Sequence, residues 1–162
     1  MCINLSLRIG VDMHYRIMIP GVPVAQPRYK IANRGKYVGK YLPTVKRNGR
    51  KVEHPITAYR ARVVQAARQV CSEPIQGAVA IMIRVVYPRP QKYLAKKYPD
   101  ERLYYPSCPQ DWDNIGKGIC DSLNGIAYDD DHQICSVGML KQMVGRDEEP
   151  HTYVELNGLG AY

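Results

Sequence analysis

No C-x-x-C pair occurs in this chain: its five cysteines (Cys2, Cys71, Cys108, Cys120 and Cys135) are odd in number and widely spaced. That argues against a disulfide framework and for a reducing cytoplasm. His132 with Cys135, Cys108 and Cys120 fits no standard finger spacing, so zinc is set aside. No apolar run approaches the roughly 20 residues of a membrane span. The first dozen residues are mildly apolar but carry Arg8 and Asp12 and lack a clear cleavage site, which speaks against a signal peptide. A Walker loop, a G-x-S-x-G elbow and a Ser-His-Asp pattern are all missing.

Acidic residues are scarce over a long stretch. Between Gln26 and Arg68 lie twelve Lys/Arg residues against one acid, Glu53, in a chain whose net charge is +8. With Tyr29, Tyr37, Tyr41 and Tyr59 interleaved, this asymmetry points to a polyanion, and to nucleic acid in particular.

What is there begins with organisation. At 162 residues the chain makes one domain with an ordinary core. Residues 1–13 read as a flexible extension, 14–157 as the folded domain and 158–162 as a tail. His14 to Ile19 reads as a strand stopped by Pro20-Gly21. Residues 26–54 show no sustained periodicity and read as a long loop or ragged hairpin. Ile56, Tyr59, Val63, Ala66, Ala67 and Val70 recur at helical spacing, giving an amphipathic helix from about 56 to 71. Ala78 to Tyr87, rich in Val and Ile, is a strand ended by Pro88 and Pro90. A helical turn is expected around Tyr93 to Tyr98, and closing strands over Gln133–Gln142 and Thr152–Leu156.

The densest chemistry lies between 111 and 131. Asp111, Asp113, Asp121, Asp129, Asp130 and Asp131 place six carboxylates in twenty-one residues, together with Lys117. Crowded carboxylates repel unless a cation or proton intervenes, and Mg²⁺ prefers such oxygen ligands. An acidic metal pocket inside a basic protein suits the hydrolysis of nucleic-acid phosphodiesters. On a helix from 113 to 123, Asp113, Lys117 and Asp121 fall within about 80° of one another. Ile115, Ile119 and Leu123 take the opposite side, and Asn124-Gly125 supplies the stop. Gly116 and Gly118 each cost that helix about 1 kcal/mol relative to Ala, so close backbone approach is expected there. If the strand after Asp131 returns beside the helix N-terminus, Asp130 or Asp131 joins Asp111 and Asp113 around a metal. The opening Asp111-x-Asp113 mimics an EF-hand, but Ile115 and Ser122 stand where ligands are required.

The pattern D-x-D-N-[LI]-x-K-x₃-D-x-L-N-G-x₄-D-D-x-Q, read here as Asp111, Asp113, Asn114, Ile115, Lys117, Asp121, Leu123, Asn124, Gly125, Asp130, Asp131 and Gln133, resembles that of the RusA-like endodeoxyribonucleases. These are Holliday junction resolvases often carried by prophages. The resemblance reaches upstream to Ile19-Pro20-Gly21-Val22-Pro23 and the basic segment around Arg28, Arg34 and Lys36, and downstream to Lys141. It covers about residues 14 to 157.

The resemblance implies an α+β fold, a small mixed β-sheet packed with helices, working as a homodimer with two active sites. It implies Mg²⁺ (or Mn²⁺) bound by Asp111, Asp113 and Asp131 with help from Asp130, and Lys117 as the lysine essential for cleavage. Around that set, Asn114 is expected to hydrogen-bond a ligand carboxylate and Asp121 to position Lys117. Arg28, Lys30, Arg34, Lys36, Lys46, Arg47, Arg50 and Lys51 are expected to bind the backbone of branched DNA, and no organic cofactor is expected. Flap nuclease activity, or simple nucleic-acid binding without cleavage, are the alternatives. Two positions depart from the family pattern. Ser107-Cys108-Pro109-Gln110 stands where relatives carry basic residues, and Trp112, the single tryptophan, stands where they carry an aliphatic residue.

Overall fold

The computed structural model describes residues 13–34 and 37–160, apart from the side chains of Asn33, Arg34, Tyr37, Val38 and Lys40. Thirteen elements follow in chain order. They are β1 (His14–Pro20), β2 (Lys30–Arg34), β3 (Tyr37–Tyr41), β4 (Val45–Arg47), β5 (Arg50–Val52), α1 (Ile56–Val70), β6 (Val79–Tyr87), a 3₁₀ turn (Gln91–Tyr93), β7 (Leu103–Tyr104), α2 (Trp112–Leu123), a second 3₁₀ turn (Asp131–Gln133), β8 (Ile134–Met143) and β9 (His151–Gly158).

Five strands form one mixed sheet in the order β1-β9-β6-β8-β7. Only β6 and β8 run parallel. A parallel pair needs a crossover, and α2 lies on it, which is how the fold brings the acidic helix onto the sheet. Both helices cover one face. Alternation in β1 turns Tyr15, Ile17 and Ile19 inward while His14, Arg16 and Met18 stay outside. The inward residues join Val79, Ile81, Ile83 and Val85 of β6 and Val154 and Leu156 of β9 in a core with Ile56, Tyr59 and Val63 of α1. Ile81, Ile83 and Val85 are thereby buried inside the protomer. The far face of the sheet carries Met18 and Met82 in the open.

Helix α2 owes its place to packing rather than propensity. Ile115, Ile119 and Leu123 are fully buried, and burying each is worth about 1.5–3 kcal/mol, which outweighs the roughly 1 kcal/mol lost at each of two glycines. Those glycines face neighbours at contact distance. A Cβ on Gly116 would meet Met139 at 3.5 Å, and one on Gly118 would meet Gln26 and Ile56 at 3.5 Å. Ala would just fit, so the glycines exclude larger side chains only. Beyond Asn124 the chain turns through Gly125 at φ +70°, the left-handed conformation expected of it.

Residues 26–54 are more regular than their lack of periodicity suggested. They form two hairpins, β2–β3 and β4–β5, each pairing only with itself. Among the described side chains neither has a buried face, so neither shows a period-2 apolar signal. The second turns through Asn48-Gly49, both at positive φ, the residues a tight hairpin favours. Near the turn expected at Tyr93–Tyr98 stand a 3₁₀ turn at Gln91–Tyr93 and a further turn closed by Tyr98 N on Ala95 O at 3.0 Å, and the two-residue β7 was too short to read. No helix is long and apolar enough to cross a membrane among the described residues. Residues 1–12 of the expected extension and 161–162 of the expected tail lie outside the described residues. Met13 accepts a hydrogen bond from Gly158 N at 2.8 Å.

Candidate active site

The N-terminus of α2 carries the first two carboxylates. Asp111 occupies the N-cap position with extended backbone (φ −68°, ψ 138°), yet its side chain makes no capping bond. Such a bond is ordinarily worth about 1 kcal/mol; here the carboxylate is left open, met only by Asn114 Nδ2 at 3.5 Å. Asp113 in the first turn is exposed, as is Lys117 one turn later. Among the described residues, no carboxylate lies within ion-pair distance of Lys117, and no cation lies within ion-pair distance of Asp111, Asp113 or Asp131.

The other three aspartates are bonded into the fold. Asp121 does not meet Lys117. Its Oδ2 pairs with Arg60 Nη2 of α1 at 3.2 Å, a long-range partner that replaces the i, i+4 pairing expected from the helix wheel. Asp129 accepts from Gln76 Nε2 at 3.0 Å. Asp130 caps the second 3₁₀ turn, its Oδ1 accepting from the backbone N of His132 at 3.0 Å and meeting the ring Nδ1 at 2.8 Å. The backbone and ring bonds from His132 hold the Asp130 carboxyl below its ordinary range. Gln133 completes a capping box by accepting from Asp129 N and Asp130 N, and it donates to the carbonyls of Ile75 and Gly77 at 3.0 and 2.8 Å.

This turn corrects the expected geometry. The Asp129–Asp131 run is not the mouth of a strand but a capped turn, so alternation does not aim its side chains. Nor does it return beside the α2 N-terminus. Strand β8 runs back along α2: Lys141 Nζ donates to Gln110 O at 3.2 Å near the helix start, and Met139 meets Gly116. The turn therefore lies toward the far end of the helix. There Cys120 is pushed up to about 11, by burial first, with Asp131 and Asp121 adding their charges. Among the described residues no three His, Cys, Asp or Glu side chains gather closely enough to hold a metal ion. The uncommitted donors are nonetheless all carboxylate oxygens, the chemistry a hard cation requires. Mg²⁺ needs only one or two protein carboxylates, with water and phosphate completing its shell. The donor set fits such an ion, with Asp111 and Asp113 as the near pair.

The basic residues gather on the two hairpins. In β4–β5, Lys46 stands opposite Lys51 and Arg47 opposite Arg50, all exposed. Like charges directly opposite destabilise a ladder, so this pairing does not serve the hairpin's own stability. Arg28 and Lys30 are exposed at the root of β2. Arg34 has a described backbone position in β2, its side chain does not, and Lys36 lies outside the described residues altogether. Trp112 and Tyr104 are also exposed, at 61% and 71%.

Four contributors to the site were not picked out from the sequence. Arg60 was read only as a polar position of its helix. Gln110 Oε1 accepts from Ala25 N at 2.7 Å and from Tyr87 OH at 3.1 Å, and Gln26 N donates to Asn114 O at 3.0 Å. Lys141, noted only through the resemblance, lies against Gln110. For none of these did local spacing carry a signal. For the capped turn it did, in the Asp130-x-x-Gln133 capping-box spacing.

A family model described as "Endodeoxyribonuclease RusA" matches residues 20–157. The "Uncharacterized protein YqaN" of Bacillus subtilis (strain 168) is 31% identical over 91 residues, 54% of this chain and 62% of that protein. The chain thus covers less than two thirds of that relative's length.

Proposed function

This chain belongs to the RusA endodeoxyribonuclease family, whose members resolve Holliday junctions, and from that premise we propose that it cuts four-way DNA junctions by paired symmetric nicks in a Mg²⁺-dependent hydrolysis. The observation that carries this reading is the division among its acids. Among the described residues Asp111, Asp113 and Asp131 have no cationic partner, whereas Asp121, Asp129 and Asp130 are each bonded into the fold.

Asp111 and Asp113 would hold the ion; Asp131, expected with them, is carried toward the other end of α2 and stands apart, and Asp130 gives one oxygen to the cap. A bound Mg²⁺ supplies Lewis-acid polarisation of the scissile phosphate and a water of lowered pKa. Lys117, with no carboxylate partner among the described residues, places its ammonium one turn from Asp113, where it neutralises charge that develops on the phosphoryl oxygens or the leaving oxygen. Asn114 orients Asp111 through its amide. Arg28, Lys30, Lys46, Arg47, Arg50 and Lys51, with Arg34 and Lys36, bind backbone phosphates, an interaction that weakens steeply with salt. Mn²⁺ suits the same oxygen donors. A four-way junction has two strands to cut, and a two-fold homodimer supplies two related sites. A reducing cytoplasm suits the four free cysteines among the described residues.

The test is cleavage of an immobile four-way junction beside flap and linear duplex of the same sequence, with Mg²⁺ and with EDTA. Paired nicks on the junction alone, dependent on Mg²⁺ and lost in Asp113→Asn, are the expected result. Equal cutting of flap and junction makes the protein a general branched-DNA nuclease. Junction binding without nicking in either Mg²⁺ or Mn²⁺ ends the catalytic reading.

A further inference from the structure

Arg60 is the polar bolt between two parts of the molecule that the sequence keeps far apart. From the middle of α1 its Nη2 reaches Asp121 Oδ2 at 3.2 Å and the side-chain oxygen of Gln26. Its Nη1 reaches Tyr29 OH at 3.3 Å. Gln26 and Tyr29 form the root of the β2–β3 hairpin; Asp121 sits one turn beyond Lys117 on α2. Among the described residues this is the sole ion pair joining the two helices.

The hairpin needs such a bolt. Strands β2 and β3 pair only with each other, and an isolated two-stranded ribbon is marginal in water. Its direction is therefore set at its root. One side of that root is Gln26, buried at 5% exposure, with its backbone N on Asn114 O and its Cβ against Gly118. The other side is Leu42, packed at the edge of the core. Arg60 holds the first side against the helix that carries Asp113 and Lys117.

Stability alone does not explain a guanidinium in this place. The Arg60 and Asp121 side chains are only 24% and 31% exposed, and Arg60 Nε is buried without an acceptor. An apolar pair of similar volume is often as stable as a half-buried ion pair. What the planar fork adds is a fixed relation among three segments.

We propose that Arg60 is a positioning residue: it sets the angle of the cation-bearing hairpin relative to α2, so that phosphates held by Arg28 and Lys30 present the scissile bond to Lys117. Asp121 is then Arg60's anchor, and neither a metal ligand nor a partner of Lys117. This inference rests on the nuclease reading above.

The experiment compares wild type, Arg60→Met, Asp121→Asn and the double variant. Each is measured for thermal melting with and without Mg²⁺, for binding of an immobile four-way junction in EDTA over a range of salt, and for kcat at saturating junction with Mg²⁺. Both single variants are expected to weaken binding. Each should lower the salt slope by more than the roughly 0.9 that one phosphate contact explains. Each should also reduce kcat about ten- to a hundredfold, as misplaced reacting groups do, and the double variant should be no worse than Arg60→Met. Should Arg60→Met fail to fold, Asp121→Asn and Tyr29→Phe read the same coupling through conservative changes.

Three results would overturn the proposal. A slope change of about 0.9 in Arg60→Met, with tighter binding by Asp121→Asn, would make Arg60 a direct phosphate contact. Loss of the Mg²⁺-induced melting shift in Asp121→Asn alone would make Asp121 a ligand. Lower melting temperature with unchanged kcat and slope would leave Arg60 merely structural. A wild type that cuts no DNA overturns the nuclease reading instead, and the clasp is then judged on the binding slopes.

Discussion

Three aspartates of the acidic corner are bonded into the fold and three are not, although all six lie within one short stretch of chain. Asp121, Asp129 and Asp130 each accept a hydrogen bond at about the ordinary N–H···O distance, from Arg60, Gln76 and His132. Asp111 has only the distant amide of Asn114, while Asp113 and Asp131 have no side-chain partner among the described residues. The difference teaches that crowding of carboxylates is not itself the functional signal. A fold can absorb an acid by supplying a donor, and here it does so three times. Where it leaves an N-cap aspartate without its capping bond, a stabilising interaction has been forgone, and the group remains available to an external cation.

Substituting the free acids should therefore cost activity and not stability, which is the largest effect expected. Asp113→Asn is expected to slow junction cleavage about 10²–10³-fold. Its melting temperature should stay level or rise, because a like charge beside Asp111 is removed. Parallel cleavage and melting assays check both halves; a marked fall in melting temperature would place Asp113 among the structural acids. The committed side is tested next by Gln133→Ala, which strips four hydrogen bonds from the capped turn. At about 0.5–1.5 kcal/mol per bond, incompletely additive, the loss should be about 2–4 kcal/mol, or roughly 5–10 °C in melting temperature.

How far this division was legible beforehand depended on whether partners were local. The two faces of α2 followed from Ile115, Ile119 and Leu123 against Asp113, Lys117 and Asp121, because one helix supplies both periodicities. The partner of Asp121 did not follow, since the wheel offered Lys117 four residues away while the fold supplied Arg60 sixty-one residues away. The Asp129–Asp131 run was misplaced for a related reason. Taken as strand, it seemed free to reach Asp111, whereas the Asp130-x-x-Gln133 cap and the carbonyls of Ile75 and Gly77 hold it near the other end of α2. The hairpins over residues 30–52 gave no periodic signal because their described side chains bury no face. Their charge pattern was still readable, since it depends on composition and not on pairing.

Metal binding offers a smaller and cleaner separation. If Asp111 and Asp113 are the available donors, Mg²⁺ at ten times its dissociation constant should stabilise the protein by about 1.4 kcal/mol. That corresponds to a rise of roughly 3–6 °C in melting temperature, reversed by EDTA. The shift should vanish in Asp113→Asn and persist in Glu148→Gln. A shift that survived Asp113→Asn would mean that the ion is held by some other group.

Glu148 gives the smallest effect and the sharpest control, because it is a committed acid on a separate segment, between β8 and β9. Arg102 Nε meets both of its oxygens at 2.8 Å, and Gly145 N donates at 3.0 Å. The Arg102 hydrogen bond is the main reason its carboxyl lies below the ordinary glutamate value. Both side chains remain partly exposed, 32% and 26%, so solvent screening limits the loss in Glu148→Gln to about 1 kcal/mol or less. A depressed folded pKa contributes stability that is present above the unfolded value, near 4.3, and is lost as pH falls through the folded value. Wild type should thus exceed Glu148→Gln in melting temperature at neutral pH, and the two should converge below about pH 4, with junction cleavage unaltered at neutral pH. For Asp113→Asn the pattern is reversed: cleavage falls at neutral pH while the melting temperature does not. A Glu148→Gln variant that also lost cleavage would erase the distinction, since an acid bonded into the fold would then be carrying chemistry as well.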